Sequence, residues 1–146
     1  MMFGIVGLMS QEGDRDLLER ARRWLRPDGR LLLDFDIELA ANGDSGSMEV
    51  DGGVYQWTWT SDPATRYNHL LPEFEASDGT IYEMHDPYEP ERGDHKGLLR
   101  YIYSIDELTG MLEDIGFTAA QVPHYLSYVL PDLEDDSYML LCSMGG

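Results

Sequence analysis

Residues 14–34 read DRDLLERARRWLRPDGRLLLD, and the fold turns on them. Leu17, Leu18, Ala21, Trp24 and Leu25 recur at i, i+1, i+4, i+7 and i+8, so the spacing predicts an amphipathic helix over roughly residues 14–26. Asp14 opens it, where the helix dipole favours an acid. Pro27 and Gly29 stop it in a tight turn. Leu31, Leu32 and Leu33 then follow without alternation, the pattern of a strand covered on both faces. A helix feeding through a turn into an apolar strand is a late unit of a doubly wound α/β sheet, yet here only residues 1–13 precede it.

Working outward, residues 1–10 read as the end of a buried strand running into a loop hinged at Gly4 and Gly7. Residues 42–53, rich in Gly, Ser and Asp, read as a loop. Beyond it Tyr55, Trp57 and Trp59 alternate with polar residues, which puts the three on one face of a strand. Further strands are expected over 67–74, 80–85 and 98–103, with Ser77-Asp78-Gly79 as a hairpin turn. Residues 42–103 therefore form an antiparallel β meander inserted in a single domain spanning 1–146. The proline-rich acidic stretch 86–94 reads as a surface loop. Ser104-Ile105-Asp106-Glu107 is a capping box, in which hydroxyl and carboxylate reciprocally satisfy backbone N–H groups. Ile105, Leu108, Leu112 and Ile115 line the helix that follows, Gly116 suits a left-handed terminus and Phe117 packs back on the last turn. Two closing strands, 118–129 and 137–143, flank a turn at Pro131-Asp132.

Composition narrows the function. The chain has 146 residues, 10 basic and 28 acidic, for a net charge of −18. Such a surface repels phosphate backbones, which argues against nucleic-acid binding. The arginines at 15, 20, 22, 23, 26 and 30 are interleaved with Asp14, Asp16, Glu19 and Asp28, as on a salt-bridged solvated helix face. Lys96 is the one lysine; heavy acidity with scarce lysine suits a salt-adapted surface and a GC-rich genome equally. No run approaches the roughly 20 apolar residues of a membrane helix. Residues 1–9 lack the basic start and cleavage site of a signal peptide. The lone Cys142, inside an apolar run, is a buried structural thiol suited to a reducing, cytoplasmic setting.

Four pieces share an order. They are Phe3-Gly4-Ile5-Val6-Gly7-Leu8, then Leu25-Arg26-Pro27-Asp28-Gly29-Arg30-Leu31-Leu32-Leu33-Asp34, then Tyr103-Ser104 through Phe117, and finally Asp136-Ser137-Tyr138-Met139-Leu140-Leu141. Together they resemble the carboxy-terminal half of class I S-adenosylmethionine-dependent methyltransferases, across nearly the whole chain; Asp28 stands where that family usually has a second glycine. The resemblance implies an α/β fold: a partial Rossmann-like sheet of late strands and helices, carrying the inserted meander. The strand at Asp34 would be that fold's fifth. Residues 3–8 would be the loop after its fourth strand, so Phe3, Gly4 and Leu8 would wall the methionine part of S-adenosylmethionine. Contacts to a small-molecule methyl acceptor would come from Trp57, Trp59, Tyr67, His69, Arg100 and Tyr103. Arg100 could pair an acceptor carboxylate bidentately.

The departure from the family is equally specific. Its cofactor sits over a glycine-rich turn after the first strand, with an acidic residue holding the ribose hydroxyls, much as in dinucleotide sites. No such turn follows a strand here. Gly43-Asp44-Ser45-Gly46 and Gly52-Gly53 lack the strand–turn–helix setting, and Asp34 and Asp36 match the fifth strand. The 146-residue chain is therefore expected to be inactive alone. An open sheet edge and an uncovered apolar face would then promote a homodimer or a complex with a chain supplying the other half. A partner-binding module without catalysis is the alternative. Met1 or Met2 also reads as an internal methionine of a protein that starts upstream.

Other chemistries find no support. His69, His85, His95 and His124 lack metal-ligand spacing. In Glu83-Met84-His85-Asp86, neighbours in a strand would point to opposite faces. No strained nucleophile turn accompanies a serine. The acidic run at Asp132, Glu134, Asp135 and Asp136 lacks the glycine spacing of a calcium loop and reads as solvated.

Overall fold

Ser10, not Asp14, opens the first helix. In the computed structural model, which describes residues 2–3, 6–35, 39–86, 96–123 and 138–145, the Ser10 hydroxyl accepts from the Gly13 N–H at 3.1 Å, and α1 spans Gln11–Trp24. The helix ends sooner than expected because Leu25 is already extended, and a residue next to proline, here Arg26, resists helical geometry. The buried stripe runs through Asp14, Leu18 and Ala21. Trp24 stands roughly a quarter turn from that line and is 76% exposed, so it is not part of the apolar face.

The chain divides into two compact units: Met1–Ile37 with Tyr103–Gly146, and Glu38–Ile102. The second unit is the β-rich insertion expected over 42–103, with its bounds at Glu38 and Ile102; Tyr103 falls in the first unit.

In the first unit, β1 (Met2–Phe3) lies parallel to β2 (Arg30–Phe35), with Phe3 opposite Asp34. Helix α1 makes the crossover that a parallel pair requires. The closing strand β9 (Tyr138–Met144) runs antiparallel to β2, and β8 (Phe117–Pro123) antiparallel to β9, giving the order β1–β2–β9–β8. Along β2, Leu31, Leu33 and Phe35 are buried while Leu32 and Asp34 are half-buried. The strand thus closes one face fully, not both. Helix α2 (Ile105–Ile115) carries the expected capping box: Glu107 N–H donates to Ser104 Oγ at 3.1 Å, and Ser104 N–H to Glu107 Oε2 at 2.7 Å. Gly116 ends it at φ 98°. Arg22 of α1 packs its guanidinium against Gly116, where a cation complements the negative helix end. Leu18, Leu33, Leu108, Leu112, Leu140 and Cys142 are fully buried. On the arginine-rich face Arg20 pairs with Asp16 at 2.6 Å, as expected, while Arg15 reaches Asp114 of α2 at 3.3 Å.

The second unit is an antiparallel meander. Its strands are β3 (Ser45–Val50), β4 (Gly53–Asp62), β5 (Tyr67–Ala76), β6 (Ile81–Glu83) and β7 (Leu98–Tyr101), in the order β3–β4–β5–β6, with β7 also on β5. Strand β3 replaces part of the loop expected over 42–53. Gly46 is opposite Trp57, and the Trp57 ring occupies the space a Cβ at Gly46 would need. Gly52, at φ 87°, turns the hairpin. The other bounds shift by a few residues: β6 is shorter than 80–85, and β7 ends at Tyr101, before the fully buried Ile102. Strand β8 is described only to Pro123. The turn at 131–132, the acidic run 132–136, His95, His124 and most of the 86–94 loop lie outside the described residues.

Candidate functional site

In the first unit the loop after β1 is tied from within. Gly7, at φ 91°, donates its N–H to Asp14 Oδ2 at 2.9 Å. The Tyr103 hydroxyl donates to the same oxygen at 2.9 Å. Asp14 is 0% and Tyr103 3% exposed, and Val6 and Leu8 are buried beside them. Bonds to a carboxylate are among the stronger neutral-to-charged ones, so this node fixes the loop to the start of α2. Asp14 is thus buried where its sequence suggests a solvated helix start; its i+4 and i+7 partners, Leu18 and Ala21, mark it as lying on the buried stripe. A groove of about 600 Å³ runs beside Tyr103, lined by Gln11, Glu12, Arg15, Asp106, Glu107 and Met111 among others.

Of the three residues expected to wall S-adenosylmethionine, Phe3 and Leu8 are among the described residues. Leu8 offers only apolar surface, and the Gly7 N–H already donates to Asp14. Phe3 is placed in β1 by its backbone, and Gly4 lies outside the described residues.

In the second unit the pleat sorts the proposed acceptor contacts. Register pairs Trp57 with Pro72, Trp59 with Leu70, Asn68 with Arg100, and Thr60 with His69. Directly opposed residues share a face and successive ones alternate. Trp57, Trp59 and Arg100 therefore lie on one face, together with Met48, Tyr55, Phe74 and Tyr82. The Tyr55 and Trp57 rings are 5.6 Å apart, and Phe74 and Tyr82 6.2 Å. Tyr67 and His69 lie on the other face, with Glu49, Glu73, Glu75 and Glu83.

On that second face Thr60, Asp62, Thr65, Tyr67, His69 and Leu99 line a cleft of about 420 Å³, together with Ser61. The β4–β5 turn shapes one end: Asp62 Oδ2 accepts from the Thr65 hydroxyl at 2.7 Å, and Oδ1 from the Ala64 N–H at 2.9 Å. Those bonds, the Thr65 hydroxyl first, hold the Asp62 carboxyl below its usual range. His69 Nε2 lies 2.6 Å from the Lys96 carbonyl oxygen. A carbonyl only accepts, so Nε2 carries the proton and Nδ1 of the neutral ring is left as an acceptor. Tyr67 stacks edge-on against Tyr101 at 5.4 Å. Aromatic walls, a fixed carboxylate and an oriented imidazole can bind a small polar molecule. Asp62 and Thr65 were missed in the sequence, although Asp62-Pro63 carries a turn signal.

No protein-family model matches the chain, and no curated protein matches it by sequence. Solved structures do match its fold. The CcbJ methyltransferase from Streptomyces caelestis is 18% identical with a TM-score of 0.64, over 97% of this chain and 53% of that one. An S-adenosylmethionine-dependent methyltransferase from Clostridium acetobutylicum is 13% identical with a TM-score of 0.63, over 96% and 55%. CalS10 from Micromonospora echinaspora, an amino pentose methyltransferase involved in calicheamicin biosynthesis and solved with S-adenosylmethionine bound, is 16% identical with a TM-score of 0.60, over 98% and 56%. The chain thus shares its fold with part of these Rossmann-like structures, and spans about half of their length. Among the described residues no helix is long and apolar enough to cross a membrane.

Proposed function

We propose that this chain is the substrate-side, carboxy-terminal part of an S-adenosylmethionine-dependent methyltransferase acting on a small-molecule acceptor in the cytoplasm. The strand order β1–β2–β9–β8 carries the reading. A parallel pair bridged by α1, followed by two antiparallel closing strands, is what the fourth, fifth and last strands of that fold would make. The match covers nearly all of this chain but only about half of each methyltransferase. CalS10, which acts on an amino pentose, favours a small acceptor over a macromolecule, as does the 420 Å³ cleft. Methyl transfer is catalysed chiefly by positioning. The Asp14–Tyr103 node would hold the loop carrying Leu8 against the cofactor, and the meander would seat the acceptor.

These 146 residues alone are inactive in this reading, and activity returns when a chain or segment supplies the cofactor-binding half. Isothermal titration of the purified chain with S-adenosylmethionine is expected to show no saturable heat. Clear one-to-one micromolar binding would overturn the reading. A second reading, a partner-binding module that has left catalysis behind, is favoured by the apolar side chains exposed along β3 and β6, Met48, Val50, Ile81 and Tyr82. Mixing with the cofactor-binding half and assaying methyl transfer separates the two. We further infer that the chain self-associates as a homodimer.

A further inference from the structure

We propose that the dimer forms through β3, which pairs antiparallel with β3 of a second copy about a two-fold axis at Met48. The inference rests on the homodimer reading and names its surface. Among the described residues β3 is an edge strand, with β4 on its inner side and no neighbour on its outer side. Edges are commonly blunted by brevity, lysine, proline or bulges. The β6 edge is only three residues long, and its Glu83 is held by Lys96 at 2.6 Å. Strand β3 has six residues, Ser45–Val50, with no lysine or proline, and it pairs with β4 residue for residue without a bulge. Met48 is 52% and Val50 40% exposed.

The side chains favour a second copy as the occupant. A two-fold axis normal to the sheet keeps each face on the same side, so opposed residues must share a face. Centring the pair on Met48 sets Met48 against Met48, Val50 against Gly46, and Glu49 against Ser47. The one charge of the strand then meets a hydroxyl and never its own copy. Val50 then lies opposite Gly46, over which the Trp57 ring already sits, so that it meets an aromatic surface. Elsewhere two chains of net charge −18 repel each other, and the aromatic face that β3 shares with Tyr55 and Trp57 carries few charges to desolvate. A six-residue strand pair lies at the small end of specific interfaces. The association is therefore concentration-dependent, and it tightens as NaCl rises from about 0.1 M to about 1 M, which shortens the screening length from about 10 to about 3 Å.

Sedimentation equilibrium of the whole chain, with Met48→Lys and Met48→Glu variants, tests this. Because Met48 is exposed, both variants are expected to keep the wild-type circular dichroism. Each alone places like charges together at the axis and weakens dimerisation roughly tenfold or more. Mixed in equal amounts they should restore it as a heterodimer, visible by native mass spectrometry. A wild-type dimer indifferent to both substitutions overturns the β3 interface while leaving the homodimer reading intact. A wild-type monomer at high concentration and high salt overturns both. Dimers weakened by both variants that fail to recover on mixing overturn the Met48-centred register.

Discussion

The Tyr103 hydroxyl reaches Asp14 Oδ2 at 2.9 Å across 89 residues of sequence, and both side chains are buried. The same oxygen takes the Gly7 N–H. One carboxylate thus ties the loop after the first strand to the residue that precedes the α2 cap. Tyr103→Phe keeps the ring and removes one donor, at a cost of about 1–2 kcal/mol. Asp14→Ala strips the acceptor from two buried donors and should cost more, about 2–4 kcal/mol. Urea unfolding should show lower midpoints at an unchanged slope, the mark of a stability change alone. Equal midpoints for wild type and Tyr103→Phe would mean the bond contributes nothing.

Gly46 is a second test, because the Trp57 ring fills the space beside it. Gly46→Val adds atoms where that ring lies. Overpacking of this kind costs typically about 1–3 kcal/mol, and it should also shift Trp57 toward solvent. A red-shifted tryptophan emission with a lower unfolding midpoint is the expected outcome. If the region were the loop that its composition suggests, valine would change neither.

What could be read from the sequence divides by the range of the interaction. The α2 capping box lies within four residues and is visible as Ser104-x-x-Glu107. The aromatic alternation of Tyr55, Trp57 and Trp59 likewise declares a strand without its partners. Strand β3 was lost because Ser45, Gly46 and Ser47 have loop composition; it exists because Trp57, eleven residues on, seats over Gly46. Asp51-Gly52 was the available hairpin signal. Asp14 was misjudged for a related reason: its bonding partners sit 7 and 89 positions away. Residue type marks Trp57, Trp59, Tyr67, His69 and Arg100 as acceptor contacts, but type carries no register, so the division between the two sheet faces is not legible in the sequence.

Burial pushes the Cys142 thiol up to about 11 from its ordinary 9.0. The native protein should therefore resist thiol reagents near neutral pH and react fully once unfolded, since the thiolate is the reactive form. The sign for stability follows. Below pH 9 both folded and unfolded thiols are protonated and nothing is lost. Between 9 and about 11 only the unfolded thiol ionises, so stability falls as pH rises through that window. Cys142→Ser, followed by urea unfolding across the window, should remove this thiol's share of the slope.

The two faces of the meander yield the last prediction. Trp57, Trp59 and Arg100 are on one side of the sheet, Tyr67 and His69 on the other. Side chains on the two faces of a sheet point in opposite directions, so one small acceptor cannot touch both sets. The larger cleft, about 420 Å³, is on the Tyr67 side, where Thr60, Asp62 and Thr65 complete it; a smaller one of about 240 Å³ lies by Tyr55, Phe74 and Tyr82 on the other face. In the methyltransferase proposed above, assembled with its cofactor-binding half, Tyr67→Ala and His69→Ala should each raise the acceptor KM by roughly tenfold, the loss of about 1.4 kcal/mol of binding. Trp57→Ala and Trp59→Ala should leave that KM within about twofold and act on stability instead. Steady-state kinetics at saturating S-adenosylmethionine makes the comparison. The opposite pattern would move the acceptor to the tryptophan face.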